Sequence, residues 1–215
     1  MDENEIIPCV FCEEERFKLN RKIGLPTEDS ILYSDDNIFV TPDLCPLCVG
    51  HLLIISKKHY NSFACSTTNE LNSLIKAVSY LAKTVPNGEF TVFEHGSVIN
   101  GLGGSSVNHA HMHFLPYKID DLVDIIEDEQ KKTFYNIINF EEFQNLSLQY
   151  QPYLYVFDMQ THKILEVDRV DSQYLRRIVS IKTNVGYNWK LNYPLPESKQ
   201  RFIDTILLYK LVFCS

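Results

Sequence analysis

The 215-residue chain has no basic-then-apolar start and no apolar run long enough to span a bilayer. It also lacks an excess of basic charge: 28 acids stand against 20 bases, a formal net charge of −8. That balance excludes bulk, non-specific nucleic-acid binding, while a local nest of backbone N–H groups still suits a phosphate. Repeats, low-complexity stretches and an obvious flexible linker are absent too. These absences predict a soluble, cytoplasmic protein with no membrane partner. With 45% hydrophobic residues, the chain can bury one large core, or a core domain plus an appendage.

Six cysteines are present, at 9, 12, 45, 48, 65 and 214. Cys9–Cys12 and Cys45–Cys48 are C-x-x-C pairs. Without a secretion signal, such pairs point to a metal before disulfides. Cys65 and Cys214 fit a role as small apolar core residues.

Two textures divide the chain near residue 117. Before it, Ser30–Tyr33 and Asn37–Thr41 read as strands around an Asp35-Asp36 turn, and His51–Ser56 as a short apolar strand. Asn69 to Lys83 carries Leu71, Leu74, Ile75, Val78, Leu81 and Ala82 at helical spacing, with Thr67 or Thr68 as cap. A strand at Phe90–Glu94 follows. After it, Asp120–Asn139 reads as one helix, Tyr153–Phe157 and Lys163–Val167 as a hairpin, and Asp171–Thr183 and Glu197–Phe213 as helices. The spacing gives no assignment for Glu141–Leu148. Residues 1–117 are expected to form the core and 118–215 an extension packed on it.

His109, His111 and His113 alternate with Ala110 and Met112 in a short apolar run ending at Pro116. A strand sends i, i+2 and i+4 to one face, so the three imidazoles would line up roughly 6–7 Å apart. An imidazole can attack phosphorus and carry the transferred group covalently, splitting one hard displacement into two. It needs a neighbour to fix its tautomer and donors for the developing charge. The preceding loop, Gly103-Gly104-Ser105-Ser106-Val107, can offer backbone N–H groups and hydroxyls to phosphate oxygens.

With those residues in view, the chain resembles the histidine-triad family. His109-Ala-His111-Met-His113-Phe-Leu-Pro116 matches its His-x-His-x-His signature. Gly50-His51 through Lys57-Lys58-His59 resembles its upstream segment, with Ser56 in place of a proline, and Cys9-Val-Phe-Cys12 resembles the opening of its zinc-bearing members. The tracts Phe93-Glu94-His95-Gly96 and Ser172 to Arg177, with Trp189, resemble a longer bacterial-type branch.

The resemblance implies an α+β fold built on an antiparallel sheet, here with a C-terminal helical and hairpin extension. It implies hydrolysis of nucleoside phosphoramidates or dinucleoside polyphosphates through a nucleotidyl-histidine. Nucleotidyl transfer to a phosphate or sugar-phosphate acceptor, or nucleotide binding without turnover, are the alternatives. His111 would be the nucleophile, with His51, His113 and Ser106 as its catalytic company. Asp43, Ser105 and Gly104 would bind substrate, Asp43 at the ribose; Ser105 stands where a glutamine is usual. A polyphosphate substrate can bring magnesium with it. The chain would act as a monomer or a homodimer.

The same resemblance implies a structural zinc held by Cys9, Cys12, His59 and His109. A four-thiolate set of Cys9, Cys12, Cys45 and Cys48 is the rival, and Cys45 and Cys48 can also be read as a redox-sensitive pair. Among the remaining residues, His95 reads as either a substrate contact or a buried, satisfied histidine. Glu94 reads as a turn-facing acid and His162 as solvated in a hairpin turn; Arg176 and Arg177 read as a solvated helix face, with a phosphate contact through their guanidinium forks as the alternative. Trp189, Tyr187 and Tyr193 read as anchors of the C-terminal segment.

Overall fold

A computed structural model describes residues 9–99, 107–149, 152–158, 161–183 and 195–213. Its helices and strands, in chain order, begin with α1 (Glu13–Ile23), β1 (Tyr33–Ser34), β2 (Ile38–Pro42) and β3 (Leu52–Ser56). They continue with α2 (Thr68–Ala82), β4 (Thr91–Gly96) and β5 (His111–Leu115). Next come α3 (Leu122–Gln130), β6 (Tyr135–Ile137), α4 (Phe140–Gln149), β7 (Tyr153–Phe157) and β8 (His162–Glu166), and last α5 (Tyr174–Lys182) and α6 (Pro196–Phe213). The strands form one eight-stranded sheet in the order β1-β2-β3-β5-β4-β7-β8-β6, every pair antiparallel. The α+β antiparallel architecture expected from the sequence is present. No helix among the described residues is long and apolar enough to cross a membrane.

Strands β2, β3 and β7 are buried at every position. That explains why they read as unbroken apolar runs: both faces of the sheet are covered. Ile38, Val40, Leu52, Ile54, Val92, Met112, Phe114 and Tyr155 point to one face, where they pack with Leu71, Leu74 and Val78 of α2 and Phe143 of α4. Helix α2 starts with a capping box, in which Glu70 accepts from the Thr67 N–H at 2.9 Å and Thr67 Oγ1 accepts from Asn69 N at 3.2 Å. Such a cap contributes about 1 kcal/mol.

Two separate apolar clusters lie on the opposite face. One gathers Phe39, Leu53 and Ile55 under Phe11. The other gathers Phe93, Leu115, Leu154, Val156 and Leu165 under α3 and α5. The odd-numbered side chains of β5 emerge between them, and the imidazoles of His111 and His113 stand there.

The sheet runs on past residue 117 without a break, because β7 pairs with β4 from Val92↔Phe157 to Gly96↔Tyr153. A Cβ at Gly96 would sit 2.3 Å from the Tyr153 ring, so only glycine admits that ring here. Gly50, at φ +90°, holds the turn into β3, and a Cβ there would meet the Pro116 ring at 2.7 Å. Helix α6 fastens the same turn. Thr205 Oγ1 accepts from Gly50 N at 2.9 Å, and Tyr209 OH donates to Gly50 O at 3.3 Å.

Three local expectations change. The helix expected over Asp120–Asn139 stops at Gln130. Lys131 takes a left-handed conformation (φ 55°), and Tyr135–Ile137 turns into β6 against β8. Phe134 and Ile137 keep helical spacing in sequence, but they belong to clusters on opposite faces of the sheet. The strand expected over Ser30–Tyr33 is a 3-10 turn, Glu28–Ser30, followed by two residues of β1. His162 is not in a solvated turn: it opens β8, accepts the Tyr155 hydroxyl at 2.7 Å and stacks on Phe157 at 4.9 Å.

Candidate functional site

The β5 register sets the site. Leu53 pairs with His113 and Ile55 with His111 on one side, while Phe93 pairs with His113 on the other. Phe93 stacks on the His113 ring at 4.6 Å, and Phe11 meets the His111 ring edge-on at 4.8 Å. A cavity of about 210 Å³ opens here, lined by Phe11, Leu53, Phe93, Leu175, His95, His111, His113, Asp43 and Arg176 among others.

Hydrogen bonds fix the tautomers. The His109 carbonyl lies 2.6 Å from His111 Nδ1, so Nδ1 carries the proton and Nε2 keeps its lone pair. The Leu47 N–H donates to His51 Nδ1 at 3.0 Å, so His51 Nε2 carries the proton. That proton points at His113 Nδ1, 2.9 Å away, which leaves the His113 proton on Nε2. These assignments hold for neutral rings, and burial favours neutrality. It lowers His51 to about 3 against the pull of Asp43, and it holds His113 well below its usual value, helped by His51 and His111. Burial lowers His111 in the same direction.

Asp43 is buried beside these rings. Its Oδ1 accepts from Cys45 N at 2.7 Å and its Oδ2 from Arg176 Nη1 at 2.7 Å, while Oδ2 stands 3.7 Å from His113 Nδ1. Arg176 Nη2 donates to the Cys45 carbonyl at 2.8 Å. Burial alone would raise the Asp43 carboxyl; the Arg176 guanidinium beside it, with the Cys45 N–H, holds it far below the usual carboxylate range. Asp43, His51 and His113 are close enough to hold a cation. The guanidinium already neutralises the carboxylate, and the two imidazoles are hydrogen-bonded to each other, so we read this group as a charge network.

Arg176 is therefore buried, and the solvated helix face expected for it is corrected. Tyr174, Leu175, Ile178 and Val179 anchor α5 on the sheet, each contributing about 1.5–3 kcal/mol. That anchorage carries the guanidinium into the site from the far half of the chain. Arg177 keeps a partly exposed pairing with Glu129. Replacing Arg176 with methionine is expected to destabilise the fold by about 3–5 kcal/mol, because it strands the buried Asp43 carboxylate. Urea unfolding checks this, and Asp43→Asn in the same chain should recover most of the loss. Acid should act on the wild type in two windows. The depressed His51 gives stability that falls as pH drops from 6.5 toward 3, and the depressed Asp43 adds a further loss below about 4.

A second cluster lies beside β5. Cys9 Sγ is 3.4 Å from His109 Nδ1, Cys12 Sγ is 3.9 Å from the same atom, and Cys12 Sγ is 3.7 Å from His59 Nδ1. The four potential ligand atoms lie within 4.8 Å of one another. Tetrahedral zinc with thiolate and imidazole ligands spaces sulfur and nitrogen about 3.6 Å apart, so the donors fit. His109 Nε2 donates to the Ser56 carbonyl at 2.7 Å, which leaves Nδ1 unprotonated toward the sulfurs. This cluster contains neither Cys45 nor Cys48, so the four-thiolate alternative is corrected. Cys45 is buried against Ser198 Oγ at 3.1 Å, and Cys48, pushed up to about 11 by burial, is a poor redox thiol.

The structure thus brings together His51, His111, His113 and Asp43, and separately Cys9, Cys12, His59 and His109. Gly104, Ser105 and Ser106 lie outside the described residues, as do Trp189, Tyr187 and Tyr193. Glu94, expected as a turn-facing acid, sits inside β4 on the α2 face. It accepts from Phe63 N at 2.9 Å and from Tyr153 OH at 2.6 Å, and burial raises it to about 7. The sequence offers Arg176 a phosphate contact only as the alternative to a solvated face, and no local pattern points to its partner Asp43, 133 residues away.

The family model for the HIT domain matches residues 26–119. An uncharacterized HIT-like protein of Methanocaldococcus jannaschii is 31% identical over 111 residues, which is 50% of this chain and 78% of that protein. A HIT-like protein of Mycoplasma genitalium is 29% identical over 126 residues, 54% of this chain and 77% of its own length. Among solved structures, a HIT family hydrolase from Legionella pneumophila shares 28% identity over 50% of this chain and 91% of its own, at a TM-score of 0.36.

Proposed function

From a chain that belongs to the HIT family, we propose a nucleotide hydrolase that works through a nucleotidyl intermediate on His111. Its substrates are nucleoside phosphoramidates or dinucleoside polyphosphates, attacked at the α-phosphorus. The observation that carries this reading is the His111 tautomer. The His109 carbonyl holds the proton on Nδ1, so the Nε2 lone pair is available as nucleophile without prior deprotonation.

In the first step Nε2 of His111 forms a bond to the α-phosphorus and the bond to the leaving group breaks, the leaving group keeping the electron pair and, where it is an amine, taking a proton from solvent. The Nε2–H of His113, backed by His51, supplies a donor at the same face. Ser106, with the amides of Gly104 and Ser105, is assigned to the developing charge on the strength of the family pattern. Asp43, kept ionised by Arg176, is assigned to the sugar hydroxyls. Each of its oxygens already accepts one hydrogen bond and retains capacity for another. In the second step water attacks phosphorus and gives up a proton to solvent, while the bond to Nε2 breaks and its electron pair returns to His111. The zinc held by Cys9, Cys12, His59 and His109 would fix the position of β5 and take part in neither step.

Trapping the intermediate tests this reading. The protein is mixed with adenosine and guanosine phosphoramidates and with dinucleoside polyphosphates, and intact mass and released nucleotide are followed together. A transient nucleotide adduct with turnover is expected for at least one substrate. Tight nucleotide binding with neither adduct nor turnover would make the protein a binding module. A product joined to added phosphate or sugar phosphate would make it a transferase.

A further inference from the structure

The described hydrogen bonds leave one imidazole at the pocket unexplained. His95 lies in β4, two residues beyond Phe93, and lines the same cavity as His111. Phe93↔His113 is the last pair of the β4–β5 ladder, and His95 lies two residues beyond it on the face that Phe93 shares. The positive charge of a protonated His111 would be felt at His95, which is consistent with their sharing one cavity.

Both His95 ring nitrogens are shut off from solvent, and among the described residues neither has a hydrogen-bond partner. A buried polar group left without a partner costs about 1–3 kcal/mol, and leucine or valine at this strand position would avoid that cost. The other imidazoles of this face are all bonded: His51 to Leu47 and His113, His109 to Ser56, His111 to the His109 carbonyl. His95 is the exception, and it stands beside the atom that the reading above makes the nucleophile. A neutral imidazole always offers one N–H, and burial keeps this ring neutral. A half-turn about the Cβ–Cγ bond exchanges each nitrogen for a ring carbon, so the ring can present a nitrogen to the cavity without moving the strand. Catalytic hydrogen bonds are often incomplete before substrate arrives.

We propose that His95 contacts substrate directly, its ring N–H donating to a non-bridging oxygen of the α-phosphoryl group held at His111. The proposal rests on the reading that this cavity receives a nucleotide phosphate. It makes His95 a phosphate-specific contact on β4. The donor is uncharged, so it adds no proton to the reaction. Its hydrogen bond strengthens as negative charge builds on the oxygens.

The test compares adenosine 5′-monophosphate with adenosine as probes, by calorimetric titration of the full chain, in wild type, His95→Leu and His95→Gln. His95→Leu is expected to weaken monophosphate binding by about tenfold or more, the range for a hydrogen bond to a charged group. Adenosine binding should be unchanged, and His95→Gln, which keeps an N–H donor, should recover part of the loss. The melting temperature of His95→Leu should not fall, since it removes an unpaired buried polar group. Equal monophosphate binding by wild type and His95→Leu, whether tight or absent, overturns the proposal. So does a parallel loss for monophosphate and adenosine, which would mark a packing role. Failure of the trapping experiment is a separate result: it would remove the covalent intermediate and leave this discrimination measurable.

Discussion

Glutamine at position 111 is expected to abolish the nucleotide adduct and to slow turnover by about four orders of magnitude or more. That factor corresponds to about 5.5 kcal/mol of barrier. The reason is chemical rather than steric. Glutamine approximates the length of histidine, and its amide N–H can still donate to the His109 carbonyl that His111 Nδ1 meets at 2.6 Å. Its nitrogen lone pair is delocalised into the carbonyl, so it cannot attack phosphorus. Fold and nucleotide affinity should therefore survive while chemistry does not, and kcat should fall far more than KM rises. Monophosphate binding and the melting temperature serve as controls. Persistence of an adduct in His111→Gln would place the nucleophile elsewhere on the same face, with His113 and His95 as the groups to examine. Loss of binding together with turnover would turn His111 into a substrate-positioning residue and remove the covalent scheme.

The parts of the fold legible in the sequence are those where burial coincides with apolar composition. Strand β7 and β3 up to Ile55 are apolar because both faces are covered, and α2 shows its stripe because one face meets the sheet. Helix α1 shows no such stripe, for a physical reason. The side chains it buries include Arg16 and Asn20, held by hydrogen bonds to the carbonyls of Pro42 at 2.7 Å and Pro26 at 2.8 Å. A buried arginine anchored on a backbone carbonyl is invisible to any pattern that equates inside with apolar. The helix extended to Asn139 failed for the opposite reason. Phe134 and Ile137 continue a helical spacing that the left-handed Lys131 interrupts, and one residue's backbone state outweighs a weak periodicity.

The site divides in the same way. Alternation in His109-Ala-His111-Met-His113 places the imidazoles on one face from sequence alone, and the structure sets His111 and His113 there. The identity of the ring neighbours is a matter of tertiary pairing. Arg176 approaches Asp43 across 133 residues, and Phe93 covers His113 because β4 lies beside β5. Neither relation leaves a local trace. The four candidate zinc donors stand at 9, 12, 59 and 109, separated by most of the core. Only the family pattern links them in sequence, and only folding brings their donor atoms within 4.8 Å.

Zinc removal is expected to unfold and inactivate the protein together. Purified protein should carry one zinc per chain, and a strong chelator should lower stability by on the order of 10 kcal/mol, the scale seen when structural zinc is withdrawn from small sites. The geometry says why the two losses coincide. Cys12 precedes α1, and its carbonyl accepts from Arg16 N at 2.9 Å at the start of that helix. His59 follows β3, and His109 immediately precedes β5. One ion would thus join three segments far apart in the chain, with no disulfide among the described cysteines. Phe11 lies between the two cysteines and rests edge-on against His111 at 4.8 Å, so loosening the cysteines also uncovers that imidazole, the proposed nucleophile. A displacement of about 1 Å in a reacting group costs on the order of a hundredfold in rate. Melting curves, zinc content and turnover measured along one chelator titration should therefore move together, and zinc added back should restore all three. Cys12→Ser should reproduce the chelated state. Loss of turnover with an unchanged melting curve would instead place a metal in the chemistry itself, at Asp43, His51 and His113. Protein that is stable and active without bound zinc would leave the four donors as an ordinary cluster of thiols and imidazoles.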